Sequence, residues 1–88
     1  MEKVAKYKAA AQRWAAMYKV EEQHAIDVAA SILMTRDKVM MGGSFVQAVV
    51  DNNLREAINR ADDTCVKYLK FFSIICNNCG SYEILNGQ

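Results

Sequence analysis

Three groups of residues in this 88-residue chain have types and spacings that chemistry uses. Cys76-Asn77-Asn78-Cys79 has the Cys-x-x-Cys spacing, which either holds zinc between thiolates or cycles between dithiol and disulfide. Gly42-Gly43-Ser44 stands before an apolar periodic run, and free amides at a helix start behind glycines can cradle a phosphate. Asn52, Asn53 and Arg60 place hydrogen-bonding groups along what reads as the helix that follows, where a partner or ligand can meet them.

Each group has a plainer reading beside it. A redox pair works best at a helix N-terminus, where the dipole lowers the thiol pKa, whereas Cys76 and Cys79 fall at the C-terminal end of the last apolar run. A closed zinc site needs four ligands, and Cys65 and His24 are the other candidates, with no second clustered pair to complete a set with Cys76 and Cys79. The cysteines therefore read as packed thiols, and neither metal nor cofactor is expected. His24 is the sole histidine and has no nucleophile motif nearby, so a hydrolytic triad has no support. The scattered carboxylates suggest no glycosidase pair. The expectation is a protein that is not an enzyme. At Gly42-Gly43-Ser44 the lysine of a phosphate loop is missing, which favours a turn; a cyclic nucleotide or dinucleotide, with Arg55 or Arg60 supplying charge, is the alternative.

The elements that must position these groups read as helices throughout. Val4, Tyr7, Ala11, Trp14 and Tyr18 alternate steps of three and four, and the alanines around them are the best helix formers, which predicts a helix over about 2–19. The stripe is interrupted at Glu21-Glu22-Gln23-His24 and resumes from Ala25, which predicts a second helix over 22–41. The two are either separate, as the shifted apolar face favours, or one long bent helix. Gly42-Gly43 is the strongest punctuation in the chain. Ser44 as N-cap with Gln47 three residues on has the spacing of a capping box. A third helix over 44–61 would then carry Val46, Val50, Leu54, Ala57, Ile58 and Ala61 into the core. Within it Asp51–Arg55 and Glu56–Arg60 are acid-then-base pairs four apart, each contributing a few tenths of a kcal/mol. Two asparagines in mid-helix are poor helix formers, so packing or recognition has to offset them. Asp62-Asp63-Thr64 predicts a cap for a fourth helix over 64–77, with Cys65, Tyr68, Leu69, Phe72, Ile75 and Cys76 on one side. That helix is apolar enough to be covered on most sides, by its neighbours or by another copy of the protein. Gly80 reads as a stop and 81–88 as a short tail. The whole is an all-α compact bundle of three to four helices in one domain over 1–88.

Composition agrees with a folded core: 52% of residues are hydrophobic, 24% are charged and there is no proline. The net charge of +1 is too small to name nucleic acid or an anionic membrane as the partner of the whole molecule. Its distribution is uneven. Lys3, Lys6, Lys8, Arg13 and Lys19 face Glu2 alone in the first twenty residues, and a basic contact surface for nucleic acid there is the alternative to a solvated helix face. No run approaches the ~18 apolar residues of a membrane span, and the lysines at the N-terminus are not followed by the core of a secretory signal. A cytoplasmic protein with reduced thiols is expected.

The run Gly42-Gly43-Ser44-Phe45, then Ala48, Asn52-Asn53-Leu54, Ala57, Arg60-Ala61-Asp62, and later Tyr68, Asn77 and Cys79-Gly80-Ser81, resembles small uncharacterised accessory proteins of tailed phages and prophages. The resemblance spans residues 42–81. It implies a protein that acts in the host cytoplasm by binding a host or phage protein, in host takeover or in blocking defence, and it supplies no catalytic residues. The binding candidates on this reading are Gly42, Gly43, Ser44, Asn52, Asn53 and Arg60. Self-association is expected, and sequestration of a signalling nucleotide is the second hypothesis.

Overall fold

Alanine content shapes the first contact in the molecule. The computed structural model describes residues 2–86, with the side chain of Glu2 left aside, and in it α1 (Glu2–Met17) lies along α2 (Gln23–Arg36). Their touching faces are made of Ala10, Ala11 and Ala15 on one side and Ala25, Ala29 and Ala30 on the other, all fully or almost fully buried. Small side chains let the two backbones approach closely. Tyr7, Ile32 and Leu33 supply bulk beside them. Residues 18–22 form a turn, so the first forty residues are two helices and not one bent rod.

The remaining elements are shorter than their sequence periodicity suggests. They are α3 (Ser44–Val50), α4 (Leu54–Arg60), α5 (Asp63–Lys67), α6 (Leu69–Asn78) and α7 (Ser81–Asn86). Among the described residues there are seven helices and no strand. Helix α2 is central, packing on α1, α3, α5 and α6, while α7 docks on α1. Phe72, Ile75, Cys79 and Ile84 close the core from the C-terminal half.

Helix endings explain the difference in count. Lys19, Lys38 and Asn52 have φ of 59°, 63° and 60°, the left-handed conformation in which an L-residue crowds its own Cβ. After each, the chain makes the same pair of bonds. For the third these are Asn53 N–H to the Ala48 carbonyl at 2.9 Å and Asn52 N–H to the Val49 carbonyl at 3.1 Å. Those bonds satisfy the orphan carbonyls of the last turn in a Schellman arrangement. The predicted helix over 44–61 is therefore two helices. Asn52 terminates α3, and Asn53 starts α4 by accepting from the Glu56 amide at 3.2 Å. The predicted helix over 22–41 likewise stops at Arg36, before the left-handed Lys38.

Two further expectations are corrected. Ser44 is the first residue of α3 and caps nothing: Gly43 holds the N-cap position, and the Gln47 side-chain amide donates to the Gly42 carbonyl at 2.9 Å. Residues 81–86 are not a loose tail. The Ile84 amide donates to the Gly80 carbonyl at 3.2 Å, Ile84 is 1% exposed, and Lys6 Nζ on α1 donates to the Leu85 carbonyl at 2.9 Å. The helix predicted over 64–77 is offset at Tyr68, whose backbone leaves helical geometry at φ −107° and ψ 18°. Its cap is as expected, since Asp62 accepts from the Cys65 amide at 2.8 Å.

Candidate binding groove

Where α1 ends, Tyr18 is turned outward and left 46% exposed. Its ring stacks on Trp14 at a centroid distance of 6.0 Å and meets Phe71 of α6 at 5.9 Å. The offset between α5 and α6 brings Lys67 and Tyr68 to the opposite wall, with Lys67 Nζ 5.3 Å from the Tyr68 ring centroid. Between these walls lies an open groove of about 360 Å³, lined by Tyr18, Lys19, Val20, Lys67, Tyr68, Lys70, Phe71 and Ile74. Its volume is that of a small-ligand or peptide side-chain site. Three lysines rim it, and Glu22 is the acid set against them: its carboxylate lies 3.9 Å from Lys67 Nζ and accepts from the Tyr68 hydroxyl at 3.3 Å. Rings that present faces, beside cations that keep their charge in water, suit an apolar or planar group carrying negative charge.

A second polar assembly holds the helices in register. Asp37, just past α2, accepts from Arg36 at 2.8 and 3.1 Å, from the Tyr7 hydroxyl at 2.7 Å and from the Ser81 hydroxyl at 2.7 Å. Arg36 Nη1 also donates to the Cys76 and Cys79 carbonyls at 2.8 and 2.5 Å, so a cation closes the negative end of α6. Burial alone would raise the Asp37 pKa, but the bonds from Arg36, Tyr7 and Ser81 outweigh it and bring it down to about 2. Burial and the Asp37 carboxylate push Tyr7 up to about 12. Through these bonds the end of α2 is tied to α1 by Tyr7, to the end of α6 by the Cys76 and Cys79 carbonyls and to α7 by Ser81. This is a structural clasp.

The six binding candidates divide among several places. Gly42 lies in the connection between α2 and α3, where its amide donates to the Thr35 hydroxyl at 2.8 Å. A Cβ on Gly42 would stand 2.7 Å from Ser31 Oγ and from Val46 Cγ1, so the glycine serves the close approach of α3 to α2. Gly43 faces open space. Ser44, Asn53 and Arg60 come together around a shallow hollow of about 220 Å³, with Asp51 and Glu56 in the same lining. Arg60 Nε is paired with Glu56 at 3.2 Å, and with Asp51 also in the lining acids outnumber the cation there. Asn52 lines a separate narrow cleft of about 60 Å³ with Asn53, Leu54 and Leu69.

The four metal candidates also separate. Cys76 and Cys79 are buried at the end of α6, and burial raises both thiols, Cys79 to about 11 with Glu83 adding to the rise. His24 and Cys65 do meet, at the junction of α2 with α5, and Asp62 joins them. Burial, then the neighbouring Asp62, pushes the Cys65 thiol up to about 11.

Comparison with protein families, curated proteins and solved structures gives no match. The site thus rests on its own chemistry. The helical spacing of the sequence puts Tyr18 and Tyr68 on core-facing stripes and does not single out Phe71, Lys67 or Lys70. The signal that could have found them is the pairing of Tyr18-Lys19, at the end of the first apolar run, with Lys67-Tyr68, inside the last. Nothing in the local pattern says that those pairs converge.

Proposed function

We propose that this protein acts by binding, as an accessory protein of the tailed-phage type that engages an acidic segment of a host protein in host takeover or counter-defence. The observation that carries the choice of surface is the half-exposed Tyr18 ring, stacked on Trp14, tilted against Phe71 and flanked by Lys19, Lys67 and Lys70. Aromatic anchors beside an apolar floor are what the centres of protein interfaces use, and three lysines around them select acidic partners and speed encounter. The resemblance over residues 42–81 favours a protein partner over a nucleotide. So does the hollow at Ser44, Asn53 and Arg60, where Asp51 and Glu56 would oppose a phosphate. Exposed Met40, Met41, Leu54 and Ile58 support the companion expectation of self-association.

The test is affinity capture from host lysate with the wild-type chain, Tyr18→Ala and the double variant Lys67→Glu/Lys70→Glu, followed by binding measurements at two salt concentrations. Loss of an interface anchor costs ~2 kcal/mol or more, so each variant is expected to weaken the captured partner by about 30-fold, with the lysine contribution fading in high salt. A partner bound equally by all three proteins refutes this surface. Heat on titration with cyclic nucleotides, and none with the captured protein, would favour sequestration of a nucleotide instead. Light scattering that gives the mass of a single 9.9 kDa chain at working concentration would overturn self-association.

A further inference from the structure

The junction between α2 and α5 holds a constellation that the binding groove does not use. His24 Nε2 lies 3.1 Å from Asp62 Oδ2, and the Cys65 sulfur, a carboxylate oxygen of Asp62 and a ring nitrogen of His24 all lie within 4.8 Å of one another. The two carboxylate oxygens of Asp62 have different tasks. Oδ1 accepts from the Cys65 amide at 2.8 Å and so caps α5, while Oδ2 is turned to His24. A cation bound at Oδ2 would leave the cap intact, and the cap would hold that ligand in place as outer-shell bonds do at metal sites. The two elements are also tied beside the cluster, because Glu22 accepts from the Thr64 hydroxyl at 2.9 Å and from the Tyr68 hydroxyl at 3.3 Å.

We propose that His24, Asp62 and Cys65 form a binding site for a borderline-soft divalent cation, with zinc the natural occupant. One imidazole, one thiolate and one carboxylate suit zinc, whereas calcium and magnesium want oxygen alone. Bond lengths of ~2.0–2.3 Å in a tetrahedron require ligand atoms ~3.5 Å apart; Nε2 and Oδ2 already stand 3.1 Å apart, and a pair at the 4.8 Å limit has about 1 Å to close. His24 and Asp62 can close it, since their side chains are 55% and 57% exposed, while the buried Cys65 stays fixed. The fourth position falls on the solvent side. Binding exchanges one bond for another: the Cys65 S–H breaks, a zinc–sulfur bond forms, and the proton passes to water together with any proton on Nε2. The site would carry no net charge, a dication having met one thiolate and one carboxylate. Its effect would be to staple the start of α2 to α5, a five-residue helix with Cys65 as its buried residue.

Cobalt(II) reports the site directly, because a thiolate ligand gives a charge-transfer band and tetrahedral geometry gives intense visible bands. Titration of the reduced protein is expected to reach one cobalt per chain, with zinc displacing it and raising the melting temperature. Both His24→Gln and Asp62→Asn keep the fold, the latter because asparagine caps as well as aspartate. Each removes a direct ligand, and each should weaken zinc by more than the ~10–100-fold that loss of an outer-shell partner costs. Cys65→Ser should abolish the charge-transfer band and Cys79→Ser should leave it. The proposal is overturned if cobalt gives no thiolate band. It is equally overturned if the band survives Cys65→Ser, which would move the site to Cys76 and Cys79, or if His24→Gln and Asp62→Asn bind zinc as the wild type does. Should Cys65→Ser fail to fold, the two exposed variants decide.

Discussion

Replacing Asp37 by asparagine keeps its shape and removes its charge, and the clasp around it sets the cost. Arg36, Tyr7 and Ser81 all donate to this carboxylate, whose side chain is 13% exposed. Burial raises its pKa, the donors more than reverse that, and the outcome is a fall from 3.8 to about 2. At about 1.4 kcal/mol per pH unit, the charge contributes ~2.5 kcal/mol at neutral pH. The folded pKa is depressed, so this contribution is present above the unfolded value and is lost as pH falls through the folded one. About half should be gone by pH 3 and most of it by pH 2. A domain of this size has ~4–13 kcal/mol of stability in total, so the loss is large. Urea denaturation followed by circular dichroism would measure it, with a midpoint shift of ~2.5 M expected at pH 7 for a urea slope of ~1 kcal/mol/M. Carboxylates outside the clasp titrate alike in both proteins and cancel in the difference. A difference between wild type and Asp37→Asn that is equally large at pH 7 and pH 2.5, or that is negligible at pH 7, would refute the reasoning. In the alkaline direction Tyr7 gives a second check: its folded pKa is raised to about 12, so the stability it contributes is present below its ordinary value of 10 and disappears as pH climbs between the two.

Two backbone predictions accompany it. Asn52→Gly should stabilise the chain by ~0.5–1 kcal/mol and Asn52→Val should destabilise it by more than ~1 kcal/mol, because φ is 60° there; thermal melts that rank the three in another order would show that Asn52 does not end α3 in this way. Gly42→Ala should cost ~1–3 kcal/mol through contact with Ser31 and Val46, while Gly43→Ala, facing open space at φ −74°, should be neutral or stabilising by up to ~1 kcal/mol, and equal melting temperatures for the two variants would refute the assignment.

What was legible in the chain is what is decided locally. The three-and-four spacing from Val4 to Tyr18 marked α1 to within two residues at its end, and Asp62 was visible as a cap because its preference is carried by its own side chain. The break at Asn52-Asn53 was not visible, since the apolar period runs through it: Val46, Val50, Leu54, Ala57 and Ile58 keep helical spacing across both helices. The turn resets the phase. Ala57 is buried in α4 while Leu54 and Ile58 are 63% and 49% exposed, so two of the six residues of the expected core stripe face water. The two asparagines that looked costly in mid-helix are at home in the break, one tolerating a left-handed backbone and the other capping. The clasp was hidden for another reason. Tyr7 and Ser81 reach Asp37 across 30 and 44 residues of sequence, and no local preference records such a meeting.

The same breaks that defeat periodicity also build the surface on which function is proposed. Had α1 run straight on through Lys19, a continuous helix would carry Tyr18 and Lys19 away from α6 into solvent. The left-handed Lys19 stops it, and the Val20 amide donates to the Ala15 carbonyl at 2.8 Å, folding the chain back so that buried Val20 forms part of the groove floor. Had α5 and α6 been one helix, Lys67, Tyr68 and Phe71 would follow one spiral; the offset at Tyr68 instead lets its hydroxyl reach Glu22 while the Phe71 ring stays against Tyr18. A helix interior is selected for burial and tolerates little else, whereas a helix end needs one unusual backbone angle and leaves its side chains free. In a chain of this size, with no long loops, helix ends are where exposed aromatic and charged groups can be brought together without disturbing the core. On that argument the left-handed Lys19 is tied to the groove as well as to stability. Lys19→Gly would keep the turn and lose one of three cations, whereas Lys19→Val would strain the turn and displace Tyr18.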